Sequence, residues 1–382
     1  MRATFLLFLL SVSIFGYSQV SKIINVVTPG SLSTLLTEDE KSTVTDLTVS
    51  GTIDARDIKC MRDQLASITN LDLSNANIAA FEGTATSSLT TSYPANEMPR
   101  SSFYRSGSAT AVTTLASVIL PNSLTSIGAN AFYLCTYLKS IYIGNSITDI
   151  GYEAFEGSGL TTVTMGNSVT TIQNDAFHYC SLLKNITFSE NITFIGAGAF
   201  SNCIIAKLTY PKLVTTVIDS FCECDYLTEV TLPATITNIS SAAFYSCNAL
   251  KTIYSLNPTP PICQSYCFSS LSSVTAVYVP VSSVSAYKSA PVWGDNLYKV
   301  IKAIPITKVT EQNTEGIKIY SVNSNIIIEG TPKGEIVSVF SLNGQSLKTV
   351  ESSGDKMVIP VLRNNIYLVK TATGTSKVFI QE

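Results

Sequence analysis

The sequence predicts a mainly β protein: a solenoid with one parallel strand per coil of 21–23 residues, followed by a small antiparallel β-sandwich. Three observations predict it. An Ala-Phe pair recurs through the middle of the chain at a near-constant interval. Each interval repeats one apolar phrase. After residue 307 that phase stops, and short alternating apolar runs separated by turn residues take its place.

Composition sets the outer limits. The chain has 382 residues, 45% hydrophobic and only 13% charged, with 27 acidic against 24 basic residues and a net charge of −3. The missing polarity is supplied by 49 Ser and 44 Thr. This balance excludes a basic nucleic-acid binder held by phosphate contacts. It equally excludes a polyanionic disordered chain. One His and one Trp leave little material for His-based catalysis or a His-ligated metal. Low charge with many Ser, Thr and Asn fits a β-rich extracellular protein.

Residues 1–18 read as a signal peptide. Met1-Arg2 is a short positive start, Phe5 to Ile14 an apolar core, and Gly16-Tyr17-Ser18 places small residues before a cut at Gln19. The apolar run is too short to span a bilayer, and no later segment has 18 consecutive apolar residues. The expectation is an exported chain without a transmembrane span. Residues 19–114 then read as an N-terminal cap and degenerate first coils. Within them, 80–114 is Ser/Thr-rich, contains Pro94 and Pro99, and reads as an inserted loop.

The solenoid with its terminal cap is expected over 115–307. Ala131-Phe132, Ala154-Phe155, Ala176-Phe177, Ala199-Phe200, Ser220-Phe221 and Ala243-Phe244 are separated by 23, 22, 23, 21 and 23 residues. Phe103 and Phe268 are degenerate outer copies. Between them runs Leu-x-x-β-branched-x-apolar, as in Leu138-x-x-Ile141-x-Ile143 and Leu227-x-x-Val230-x-Leu232. Such a unit cannot bury its own apolar face, so neighbours must stack. The paired apolar positions are two apart and point inward together, and the residue between them points out. That outward position is held by Tyr142, Thr164, Thr187, Thr209, Thr231, Tyr254 and Tyr278, the candidate partner-binding residues. Tyr offers amphipathic contact area there.

Nine cysteines in an exported chain call for an explanation. Cys135, Cys180, Cys203, Cys224 and Cys247 all lie three residues after the repeat Phe, with Ser158 at the same phase. A recurring inward position is explained by packing, since Cys behaves as a small hydrophobe with a weak S–H donor. Cys263 and Cys267 form the one pair suspected of bridging. His178 reads as a surface turn residue. Asn185, Asn191 and Asn238 match the glycosylation sequon by composition. No phosphate loop, HExxH, GxSxG or EF-hand loop occurs, so no catalytic residue, cofactor or metal ligand is assigned.

The repeat phrase, written here as Leu120-Pro-Asn-Ser-Leu-Thr-Ser-Ile-Gly-Ala-Asn-Ala-Phe-Tyr-Leu-Cys135, resembles that of the BspA-like leucine-rich repeat proteins. The resemblance covers about 115–300. Asp57 to Arg62 with Leu71 to Ile78 is similar to that family's lead-in, and Val279-Pro280 through Tyr287, Lys288 and Trp293 to the end of its array. It implies a leucine-rich-repeat solenoid and a surface or secreted protein of adhesion type with a protein or glycan partner.

In 308–382 the alternating runs are Ile317-x-Ile319, Ile326 to Ile328, Ile336 to Val339, Val358 to Leu362, Ile366 to Val369 and Val378 to Ile380. Gly330, Gly334, Asn343-Gly344, Gly354 and Gly374 separate them. Val337 to Gln345, Asn365-Ile-Tyr-Leu-Val-Lys370 and Lys377-Val378 resemble the C-terminal sorting domain of type IX secretion. Asn365 stands where that family has Gly. The resemblance implies the outer surface of a Gram-negative bacterium.

Taken together, the expectation is a non-enzymatic, secreted or surface-displayed binding protein, with no nucleic-acid partner and no cofactor. Two other classes compete with it: a self-assembling envelope scaffold without external ligand, and a hydrolase whose site lies in 80–114.

Overall fold

A computed structural model describes residues 19–86, 91–104, 114–264, 267–268, 272–304, 317–322, 325–341, 346–354, 356–361, 365–372 and 374–380. The signal-peptide segment, the Asn343-Gly344 turn and the expected boundary at 307/308 lie outside the described residues. The chain divides into two compact units, residues up to Val277 with Ser285–Ile301, and Tyr278–Val284 with Lys302 onward.

The first unit opens with four parallel strands side by side, Ser21–Val26, Asp46–Ile53, Asn70–Ile78 and Ser117–Ile119. Helix Ala55–Gln64 buries Ile58, Cys60 and Met61. Its N-cap Asp54 accepts from the Arg56 N–H at 2.8 Å. Asp57, 1% exposed, accepts from the backbone N–H groups of Asp54 (2.9 Å), Gly30 (2.6 Å) and Leu32 (2.9 Å). Three charge-assisted bonds compensate the buried carboxylate and tie the first loop to the helix.

Each regular coil then carries a strand on the expected face: Ser140–Ile143, Thr162–Met165 and Asn185–Thr187, then Lys207–Thr209, Glu229–Leu232 and Thr252–Ser255. A second, two-residue strand follows in every coil, as at Ser126–Ile127, Asp149–Ile150 and Thr171–Ile172, all parallel. It was not separable by sequence, because two residues are too few to show a period.

The third side belongs to the Phe residues. Phe132, Phe155, Phe177 and Phe200 are fully buried and stack face to face with centroids 5.1 Å apart and planes within 5°. Burial of each ring contributes roughly 1.5–3 kcal/mol. In most coils the residues two before and two after Phe take left-handed backbone, for example Asn130 (φ 58°) with Leu134 (57°) and Asp175 (57°) with Tyr179 (53°). The Phe N–H between them donates to the next coil: Phe132 to Ala154 O at 2.7 Å, Phe155 to Ala176 O at 2.8 Å and Phe177 to Ala199 O at 2.8 Å.

The cysteine ladder is a row of buried free thiols. Cys180, Cys203, Cys224 and Cys247 donate to the carbonyls of Phe155, Phe177, Phe200 and Phe221 at 3.1–3.3 Å. Threonine has a second use at the corners. Thr125, Thr148, Thr170 and Thr193 hydroxyls donate to the carbonyls of Asn96, Thr125, Thr148 and Thr170 in the coil before, at 3.1–3.3 Å. Part of the hydroxyl content therefore stitches rungs together.

The 80–114 segment is only partly a loop. Among its described residues, Phe81–Glu82 and Ser92–Tyr93 form an antiparallel hairpin. Beyond it, Glu97–Met98 joins the short-strand ladder beside Ser126–Ile127, and Phe103 stacks on Phe132 at 5.4 Å. Arg62 holds this region in place. It is 7% exposed and donates to the carbonyls of Thr86, Ser101 (3.0 Å) and Tyr104 (3.1 Å) while pairing with Asp63 at 2.7 Å.

The long-strand ladder parts between Ser117–Ile119 and Ser140–Ile143, and both ladders part together at a second place. One sheet ends at Asn185–Thr187 and the next begins at Lys207–Thr209; the short strands part likewise between Phe194–Ile195 and Thr216–Val217. Inward positions that hold Ile143, Met165 and Leu232 in other coils hold Phe188 and Tyr210 here. Their rings stand edge-on to Phe200 (5.6 Å, 89°) and Phe221 (5.4 Å, 65°). The bulkier inward rings and the shortest interval, Phe200 to Phe221, coincide with this joint break.

The second unit has a three-stranded antiparallel sheet, Lys318–Val322, Asn325–Glu329 and Met357–Pro360. A four-stranded one is ordered Ser346–Glu351, Ile336–Ser341, Asn365–Thr371 and Gly374–Ile380. Ile319, Ile326, Ile328, Val337, Val339, Ile359 and Val369 fill its core. Ser346–Glu351 was not expected. It is an edge strand whose side chains are almost all exposed, so its sequence carries no apolar alternation.

Candidate functional site

The outward face of the long strands collects the sequence-selected residues in two groups. Tyr142, Thr164 and Thr187 stand in register on adjacent strands. Thr209, Thr231 and Tyr254 do the same on the far side of the break. Tyr142 is 56% exposed, Thr187 and Thr209 are exposed, and Thr164, Thr231 and Tyr254 are half-buried between neighbours. Tyr278, also half-buried, belongs to the second compact unit. The seven residues therefore do not form one unbroken ladder.

A parallel outward row lies two residues earlier on each strand: Ser140, Thr162 and Asn185, then Lys207, Glu229 and Thr252. Period-two alternation could have found it. Lys207 pairs with Glu229 at 3.4 Å. The combined surface is rich in hydroxyl, amide and phenol groups on a rigid lattice. It suits polar and stacking contacts and holds no nucleophile beside a base.

A second group sits on the Phe side. Glu156 lies beside Glu153 and Asp175, and its carboxyl is raised to about 7, first by burial and then by those two carboxylates. His178 Nδ1 is 3.5 Å from Glu156 and 3.8 Å from Asp175. The His178 ring packs on Tyr179 at 4.2 Å, and Tyr104 stands edge-on to Tyr133 at 4.7 Å. Read along the chain, His178 is an isolated turn residue; stacking brings Glu156, 22 residues away, against it, beside Asp175 of its own turn. It does not activate Cys180. That thiol points inward to Phe155 O, and burial pushes it up to about 12, which keeps it protonated and unreactive. Of the sequon residues, Asn191 donates its amide to Asn167 O at 2.7 Å, a coil-to-coil bond.

Stacked short coils, parallel strands on one side and a Phe stack on another define a leucine-rich-repeat solenoid. Residues 108–220 and 217–313 match the BspA type Leucine rich repeat region in six copies, and the chain belongs to this family.

Several solved bacterial proteins are similar. A leucine-rich repeat protein from Bacteroides ovatus is 21% identical, with 60% of this chain and 59% of that one covered and a TM-score of 0.40. The chain thus spans about three fifths of that protein's length. A leucine rich cell surface protein from Faecalibacterium prausnitzii is 17% identical over 70% of this chain and 84% of that one, with a TM-score of 0.33. The pneumococcal vaccine antigen PcpA is 11% identical over 73% and 77%, with a TM-score of 0.30. No curated protein matches the sequence. Among the described residues no helix is long and apolar enough to cross a membrane.

Proposed function

We propose that this chain is an exported, surface-displayed binding protein of adhesin type, without enzymatic activity, whose long-strand face engages a protein or glycan. One observation carries the reading. Tyr142, Thr187 and Thr209 expose hydroxyl and aromatic groups on hydrogen-bonded strands that cannot rearrange cheaply. Rigid presentation keeps the entropy cost of binding low. A neutral, hydroxyl-rich face of this kind recognises by shape, stacking and hydrogen bonds rather than by charge.

The sequence of residues 1–18 supports export, and the tail's resemblance to a sorting domain supports passage to the outer surface of a Gram-negative cell. Deleting 308–382 is expected to leave the protein in the periplasm with its coils intact. Unchanged surface display of the truncated chain refutes this part of the proposal.

The binding test uses the mature chain on a glycan array and in pull-downs from candidate surfaces. Replacement of Tyr142, Tyr254 and Tyr278 together by Ala is expected to abolish capture of a confirmed partner; undiminished capture removes the face from consideration. Concentration-dependent association in ultracentrifugation, with no external ligand found, favours the self-assembling scaffold instead. Turnover of a glycan or peptide overturns the non-enzymatic reading.

A further inference from the structure

In the regular coils the inward residue of the short strand and the residue four later form a packed core pair. Ile127 with Ala131, Ile150 with Ala154, and Ile239 with Ala243 are all buried. One turn brings each pair together. Ala131, Ala154 and Ala243 donate their N–H groups to Gly128, Gly151 and Ser240 carbonyls at 3.2–3.4 Å.

The last coil places cysteine at both positions. Cys263 stands in register beside Ile239 on the short-strand ladder. Cys267 precedes Phe268 as Ala243 precedes Phe244, and its N–H makes the same bond, to Gln264 O at 3.2 Å. Cys267 is fully buried and Cys263 half-buried, both as free thiols. The neighbouring Cys267 thiol, and then burial, raise the Cys263 thiol well above its ordinary value. Only here do cysteines fill both positions of the repeat's core pair. Ladder cysteines share one phase on successive rungs, so their side chains run parallel, and those of Cys180, Cys203, Cys224 and Cys247 donate to Phe carbonyls rather than facing one another.

We propose that Cys263 and Cys267 are joined by a disulfide in the folded protein under oxidising conditions, while the ladder cysteines remain thiols. The bond forms by exchange with an external disulfide. One cysteine thiolate attacks it, giving a mixed disulfide and one released thiolate. The second cysteine thiolate then displaces the other half. The two cysteines are oxidised by two electrons, the external disulfide is reduced to two thiols, and the two cysteine protons pass to those thiols. Because the thiolate is the attacking species and Cys267 ends fully buried, closure belongs to folding, before the cap seals the coil. That cap touches both sides of the pair. Trp293 Nε1 donates to Pro261 O at 2.9 Å, and its ring packs on Phe268 at 4.6 Å.

The test refolds the reduced, denatured full chain in a glutathione redox buffer, quenches with acid, unfolds it and alkylates before reduction. Cys263 and Cys267 are expected to label only after reduction, and the other seven of the nine cysteines before it. Labelling of all nine before reduction overturns the proposal, as does a protected pair mapping elsewhere. The variant C263I/C267A restores the repeat's own residues. It is expected to fold and to label at every remaining cysteine before reduction; a residual protected pair in it also overturns the assignment. Chain isolated directly from cells and alkylated at once gives the same readout without refolding.

Discussion

The Phe side and the strand side of the first unit meet the same irregularity and answer it differently. On the Phe side nothing is interrupted. Rings from Phe103 to Phe221 stack at 5.0–5.4 Å, and the Phe200 N–H reaches Ser220 O at 2.8 Å across the point where both strand ladders part. On the strand side, pairing stops where Phe188 and Tyr210 replace the smaller inward residues of other coils. Identical rings at one phase pack with themselves, so the stack propagates. The strand side mixes residue sizes at its inward positions, so a local excess of volume has nowhere to go.

The largest expected effect attacks the continuous side. Phe177→Ala removes a fully buried ring between two stacked neighbours and is expected to cost about 3–5 kcal/mol in urea unfolding. A loss under about 1 kcal/mol would show that the stack is not what holds the coils.

The break offers the opposite sign. The Tyr210 hydroxyl is buried without a hydrogen-bond partner, and the nearby Ser220 hydroxyl donates instead to Ile195 O at 3.4 Å. Tyr210→Phe removes an unsatisfied group and is expected to stabilise by roughly 1 kcal/mol. Destabilisation would mean that the hydroxyl has a partner, such as a bound water.

Glu156 tests the acid cluster on the Phe side. Its folded-state carboxyl is raised, from 4.5 to about 7, so its favourable contribution is complete below pH 4.5 and is lost as pH rises through about 7. The groups facing it are Glu153, Asp175, His178 and Tyr133. Glu156→Gln is expected to raise the melting temperature relative to wild type at pH 8 and to leave it little changed at pH 4. An equal shift at both values would refute the linkage.

The smallest effect is expected on the proposed binding face. Tyr142→Ala, at an exposed outward position, should change stability by no more than about 0.5 kcal/mol. Circular dichroism melts check this, and a larger change would make loss of binding in that variant uninterpretable.

Some features were legible in the chain because they are local and periodic. The inward pairs and the tail's alternation recur within a few residues, and the Phe phase and the cysteine ladder recur at a near-constant interval, so pattern alone located them. Other features depended on neighbours distant in sequence. Arg62 gains meaning only when the carbonyls of Thr86, Ser101 and Tyr104 surround it. His178 meets Glu156 only across a rung. The outward row was legible as single residues, but its division between Thr187 and Thr209 was not. The sequence by itself determined that coils stack and which side chains point inward, since these follow from the period and the two-residue pleat. Tertiary structure alone decided where stacking is imperfect and which polar groups meet, because volume and charge add up across coils, where no local pattern records them.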